Sequence, residues 1–189
     1  MAVGVILVLC GLGIYVAQQQ EDAAAERTAA ILLAQLEDKP LPAEPQPEDD
    51  GHVPADPVLP EKKYMGYTLL GSVSVPSVGV QLPILDQWSE DMLKVAPCRY
   101  TGSISGGNMI IMGHNYKSHF SPLRQVKVGA EVEIENTVGK VFRFRVAKIE
   151  YLHRTDGENL PNPAYPLTIF TCAPGGLERV VIRCEAVSY

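Results

Sequence analysis

Beyond Tyr64 the chain breaks into short β-rich runs separated by glycine and proline, and no other feature limits its fold so strongly. The runs cover 69–75, 78–85, 108–113, 131–135, 141–151, 167–172 and 179–187, lengths and spacings that predict strands. Alternation such as Val141-Phe142-Arg143-Phe144-Arg145-Val146 turns one face to a core and the other to water. A mostly β barrel or sandwich follows. Short helices are expected at 89–95 and 121–126, each opened by a serine able to cap it. There is no internal repeat and no Gly-rich phosphate loop.

The front of the chain is built differently. Residues 2–17 carry no charge, so a helix here needs lipid or protein on every side. Sixteen residues span roughly 24 Å against a hydrocarbon core of roughly 30 Å. The expected anchor, 1–20, therefore either extends through Gln18–Gln20 in the headgroup zone or begins further upstream. No basic n-region or small-x-small cleavage site marks a removable signal peptide. Residues 21–38 are Ala-rich with Ile31, Leu32, Leu33 and Leu36, which reads as a helical stem. Residues 39–61 are Pro- and acid-rich, too polar to bury a core, and read as a linker that includes His52. The expected organisation is an anchor to residue 20, stem and linker over 21–63, and one folded domain over 64–189.

Charge follows the same division. Residues 18–56 hold ten acids and two bases, whereas 57–189 hold twelve acids and fourteen bases. Acids next to the apolar run fit the outer side of a membrane, and a net charge of -6 argues against nucleic-acid binding. The four cysteines, at 10, 98, 172 and 184, form no CxxC pair and no zinc-type spacing with histidine. No metal or cofactor site is expected, and a Cys98–Cys184 disulfide is conceivable but not readable from sequence.

Three residues stand at predicted strand ends, where side chains emerge from a barrel. Cys172 closes the run Leu167-Thr168-Ile169-Phe170-Thr171 ahead of the turn Ala173-Pro174-Gly175-Gly176. A thiol there is accessible enough for a nucleophile, although a buried small hydrophobe is the commoner role of cysteine. His114 follows Asn108-Met109-Ile110-Ile111-Met112-Gly113, and an imidazole suits proton transfer in both directions. His119 and His153 also lie in expected loops. Arg179 opens the last strand, and a hairpin would bring its permanent cation beside the thiol, where an oxyanion forms. Arg183 shares its sheet face and competes for that role, but Arg179 lies nearer the cysteine.

Thr168-Ile169-Phe170-Thr171-Cys172, Met112-Gly113-His114-Asn115 and Glu178-Arg179-Val180-Val181-Ile182, in that mixture of types and in the order His, Cys, Arg, resemble the sortase family of cell-wall cysteine transpeptidases. The resemblance covers roughly 64–189. It implies a closed eight-stranded sortase-type β-barrel with short helices behind an N-terminal membrane helix. It also implies a groove for an extended sorting signal similar to Leu-Pro-x-Thr-Gly on secreted proteins. Cys172 is then the nucleophile, Arg179 the oxyanion partner and His114 the acid and base, and Thr171 helps to orient substrate. The thioester passes to an amine, such as that of a peptidoglycan precursor, at a Gram-positive type cell surface. Because thiolate and imidazolium must coexist, the reactive form is a minority at neutral pH and slow turnover is expected.

The pilin-polymerising class usually carries an Asp-Pro-aromatic lid, whereas Asp56-Pro57-Val58 lacks the aromatic. A single-anchor enzyme attaching surface proteins is therefore the favoured reading, with a pilin polymerase as its alternative. Glu131, Glu133 and Glu135 alternate as exposed strand carboxylates do, although some sortases use acidic loops for calcium. Two further alternatives are a hydrolytic cysteine peptidase and a membrane-anchored binding module without catalysis. The turn-rich stretch 155–166 is expected to shape substrate choice.

Overall fold

The structure is a computed structural model and describes residues 2–37 and 56–187, with side chains from Leu9 onward in the first of these segments. His52 and most of the expected linker lie outside the described residues. Among the described residues nine strands follow one long helix, α1 (Ala2–Glu37). They are β1 (Lys62–Tyr64), β2 (Tyr67–Val75), β3 (Val80–Leu85), β4 (Cys98–Thr101), β5 (Met109–Met112), β6 (Glu131–Asn136), β7 (Val141–His153), β8 (Leu167–Cys172) and β9 (Glu178–Ala186). The sheet order is β1-β2-β3-β4-β5-β8-β9-β7-β6, and β2 also pairs with β6. That last pairing closes a ring of eight strands, with β1 hanging on β2 as a short hairpin. Two neighbours are parallel, β3–β4 and β5–β8, and the rest antiparallel.

Alternation decides what fills the ring. Val73, Val75, Ile84, Met109, Ile111, Val132, Ile134, Phe144, Val146, Leu167, Ile169 and Ile182 point inward and form one buried cluster. Their sequence neighbours Ile110, Thr168, Phe170 and Val181 belong to the opposite face, where Ile110, Phe170 and Val181 pack with Leu160. The site described below is built on that outer face.

The expected capping serine of the first short helix is present, since Ser89 Oγ accepts from Met92 N–H at 3.1 Å ahead of α2 (Glu90–Leu93). The second is a 3-10 turn, Ser121–Gln125, without a side-chain cap; Ser121 is already inside it and Phe120 occupies the cap position. Strands β1 and β4 were not among the expected runs. The core also begins ahead of residue 64, because Leu59 is buried and Asp56 accepts hydrogen bonds from Val58, Ile104 and Ser105 N–H groups.

The stem is not a separate rod. Ala25, Ala29 and Leu32 lie on one helix face and are buried, Leu32 among Leu69, Leu85, Leu93 and Cys98. Lys62 Nζ donates to Gln35 O at 2.8 Å near the helix C-terminus, where a cation also suits the helix dipole. The N-terminal transmembrane span is not borne out: among the described residues no helix is long and apolar enough to cross a membrane. The apolar run stops at Ala17, about four turns in, and glutamines and acids follow it. Leu9, Leu12, Ile14, Tyr15 and Val16 are exposed.

Candidate active site

Strands β5, β8 and β9 lie side by side, and their register brings the three sequence-selected residues to one end of the sheet. Met112 pairs with Phe170, so two residues further along each strand stand His114 and Cys172. Gly113 N–H donates to Phe170 O at 3.1 Å, which carries the ladder past the strand end. On the other side Cys172 lies directly opposite Arg179. One step on, Ala173 N–H donates to Glu178 O at 2.8 Å, which makes Cys172–Arg179 the non-hydrogen-bonded kind of pair, with Cα atoms about 4.5 Å apart. Gly175 and Gly176 turn the hairpin with φ of 87° and 71°, a backbone region that favours glycine.

The face matters as much as the level. Cys172 shares its parity with Phe170 and Thr168, outside the barrel, and is only partly buried. The Arg179 guanidinium sits 5.5 Å from the Phe170 ring centre, which confirms that it lies on that face. Its Nη1 is buried without a hydrogen-bond partner, on the side of Gly157, where a Cβ would lie 3.7 Å from it. Thr171 has the opposite parity: it is fully buried, and its hydroxyl has no partner. Its side chain therefore does not share the Cys172 face.

Glycine before His114 is required by packing. A Cβ on Gly113 would lie 2.2–2.7 Å from three atoms of the buried Phe120 ring. Phe120 N–H returns to His114 O at 3.1 Å, so ring and hydrogen bond together fold residues 114–119 back on β5. His114 stacks on Tyr116, centroids 4.0 Å apart and planes 10° from parallel. Burial lowers its pKa from the ordinary range, the charges of Glu90 and Glu21 oppose that, and Lys94 adds to the lowering. His119 is buried behind the loop and its pKa is pushed down to about 4, first by burial. His153 closes β7, exposed, with Nδ1 2.7 Å from Thr155 Oγ1.

The two competing arginines have unlike surroundings. Arg183 is buried, bonds Glu150 Oε1 at 2.8 Å, Thr168 Oγ1 at 3.1 Å and Asn159 O at 2.6 Å, and reaches Leu160 O as well. It pins the 154–166 loop, whose Leu160 side chain plugs the cluster with Ile110, Phe170 and Val181. Cys98 and Cys184 are buried, and burial pushes each thiol up to about 12, whereas Cys10 is exposed on α1. All four are free.

Two features were not anticipated. An aromatic ladder, Trp88 on Tyr100 at 5.6 Å and Tyr100 on Phe170 at 5.4 Å, runs from the loop after β3 across β4 to β8, two residues before Cys172. The second is the docking of α1 on the loop that carries His114. Asp56-Pro57, weighed as a lid, sits elsewhere: Asp56 binds the loop ahead of β5, whereas His114 follows that strand, so it lies at the opposite end of the barrel from Cys172. Among the alternating glutamates, Glu133 bonds Arg143 at 2.9 Å and Glu131 lies 3.9 Å from it.

The fold has counterparts among known proteins. The family model described as the sortase domain matches residues 73–187, more than half of the chain. Solved structures with the same fold include a Clostridium perfringens sortase D5 transpeptidase, at 20% identity and TM-score 0.56, covering 62% of this chain and 78% of that one. Sortase A from Corynebacterium diphtheriae aligns at 25% identity and TM-score 0.57, over 63% of this chain and 60% of that one. A pilus-related sortase C of Group B Streptococcus aligns at 26% and 0.55, over 63% and 67%. No curated protein matches in sequence. The chain belongs to the sortase family.

Proposed function

We propose that this chain is a cysteine transpeptidase that cleaves an LPxTG-like sorting signal of secreted proteins and transfers the acyl group to an amine of the cell wall. The observation that carries this reading is the register of three neighbouring strands, which sets Cys172 opposite Arg179 and level with His114. The Cys172 thiolate attacks the carbonyl, and the Arg179 guanidinium, on the strand directly opposite, stabilises the oxyanion. The His114 imidazolium gives its proton to the leaving amine, the thioester forms, and the imidazole then takes a proton from the incoming amine. Hydrolysis would follow the same first half, so a hydrolytic peptidase differs only in what discharges the thioester.

Attachment of single surface proteins is favoured over pilin polymerisation, because Asp56-Pro57 is fixed far from Cys172 and cannot cover it. The exposed apolar end of α1 supports attachment to a membrane, with the domain outside the cytoplasm. From Ala17 to Asp22, which touches the His114 loop, the helix rises only about 7.5 Å. If that apolar end rests on a membrane, the site stands near the bilayer, which suits a lipid-linked amine such as a peptidoglycan precursor.

The test is product analysis by mass spectrometry, with the full chain in detergent, a panel of sorting-signal peptides and an added amine. The expected product is an amide that disappears in Cys172→Ala. Acid product alone in excess amine would establish the peptidase instead. No Cys172-dependent product and no adduct would leave the non-catalytic binding module as the surviving reading.

A further inference from the structure

The loop after β5 has to hold an imidazole steady, and its own backbone bonds are local: Phe120 N–H returns to His114 O, and His119 and Ser121 N–H return to Tyr116 O, each at 3.1 Å. The side chains that steady it come from elsewhere. Ser118 N–H donates to Asp22 Oδ1 at 3.1 Å, and Ser118 Oγ bonds the same carboxylate and lies 3.3 Å from Asp22 O. Tyr116 Oη donates to Glu21 Oε2 at 3.4 Å. These partners are 95 and 96 positions apart in sequence. They are held together because α1 is itself anchored, through Ala25, Ala29 and Leu32, to the barrel wall.

We propose that α1 is part of the active site, with Asp22 and Glu21 fixing the 114–118 loop so that Tyr116, stacked on His114, serves as a positioning residue for that imidazole. The inference rests on the transpeptidase reading given above. The same ring must deliver a proton in the first half-reaction and accept one in the second, so a ring free to swing costs rate in both. A near-parallel stack at 4.0 Å allows sliding but resists tilting. Asp22 acts through Ser118 on the loop, and Glu21 acts twice: it tethers the phenol and adds a negative charge that favours imidazolium. The other charged or titratable groups around His114 are Glu90 and Lys94 of the α2 region, His119 and Tyr116 of its own loop, and Cys172 and Arg179 on the adjoining strands.

The test uses the full chain in detergent micelles and compares wild type with Tyr116→Leu, Tyr116→Phe, Asp22→Ala and Glu21→Gln. Tyr116→Leu and Asp22→Ala are expected to lower kcat for amide formation about ten- to hundredfold with KM within about twofold, because binding does not use the stack. Tyr116→Phe, which keeps the ring, recovers most of that loss. Glu21→Gln moves the His114 titration, followed by NMR of its ring protons, to lower pH. Circular dichroism checks the fold of each variant. The inference is overturned if folded Tyr116→Leu keeps wild-type kcat, if phenylalanine rescues nothing, or if the His114 titration is unmoved in Glu21→Gln. Wild type without Cys172-dependent product would sink the transpeptidase reading, and the NMR titration would still judge the contact between α1 and His114.

Discussion

Arg179 and Arg183 lie on one strand and one face, so replacing each by alanine separates chemistry from architecture. Arg183→Ala removes four hydrogen bonds, to Glu150, Thr168, Asn159 O and Leu160 O, and strands two loop carbonyls. At about 1 kcal/mol per bond the loss is on the order of 4 kcal/mol. Glu150 is partly exposed and keeps Lys148 at 2.6 Å, so its share is discounted to give about 3 kcal/mol. For a domain of this size that is a fall in Tm of about 10 °C. Arg179→Ala forfeits a cation–π contact with Phe170 and no bond at Nη1, so its cost stays below about 1 kcal/mol. Its activity should fall at least about a hundredfold, as when an oxyanion donor is lost. Urea unfolding and thermal melts measure the first quantity, and amide formation measures the second. Equal destabilisation by both variants, or an active Arg179→Ala, would refute the reasoning.

Gly113→Ala forces a Cβ into the Phe120 ring and should cost about 1–3 kcal/mol while displacing His114, seen as a lower Tm and lost amide formation. His119 titrates near 4 in the folded state against about 6.5 unfolded, so the unfolded chain binds more protons between those values. Stability should therefore be full above pH 6.5 and decline by roughly 3 kcal/mol as pH falls toward 4, a slope that His119→Leu removes in urea melts. Asp56→Ala should cost about 2 kcal/mol by leaving the Ile104 and Ser105 N–H groups unpaired, yet leave kcat unchanged; a change in kcat would revive the lid.

What was legible in the sequence follows from which forces are local. Strands with strict alternation, such as β7 and β8, declare themselves because burial on one face is written at period two. Strand β1 is three residues with two lysines, and β4 holds Arg99, buried only because Asp86 bonds it from another strand end, so neither carries an apolar signature. His114, Cys172 and Arg179 were singled out because each sits at a predicted strand end within a motif that resembles the family's, and the adjacency of β5, β8 and β9 sets those positions side by side. Arg183 could not be separated from Arg179 by parity, since only the fold supplies the Asn159 and Leu160 carbonyls. Docking of α1 had a faint signal in the spacing of Ala25, Ala29, Leu32 and Leu36, a stripe that a free stem does not need. Nothing in sequence tied Asp22 to Ser118.

Intact-mass spectrometry of the Cys10→Ser chain, mixed with a sorting-signal peptide before any amine is added, tests the central claim most directly. The account predicts one covalent acyl adduct, mapped to Cys172, that discharges to amide within a turnover time when amine is supplied and fails to form in Arg179→Ala. A reactive peptide panel that leaves Cys172 unmodified in folded protein, or an adduct on another residue, would contradict it.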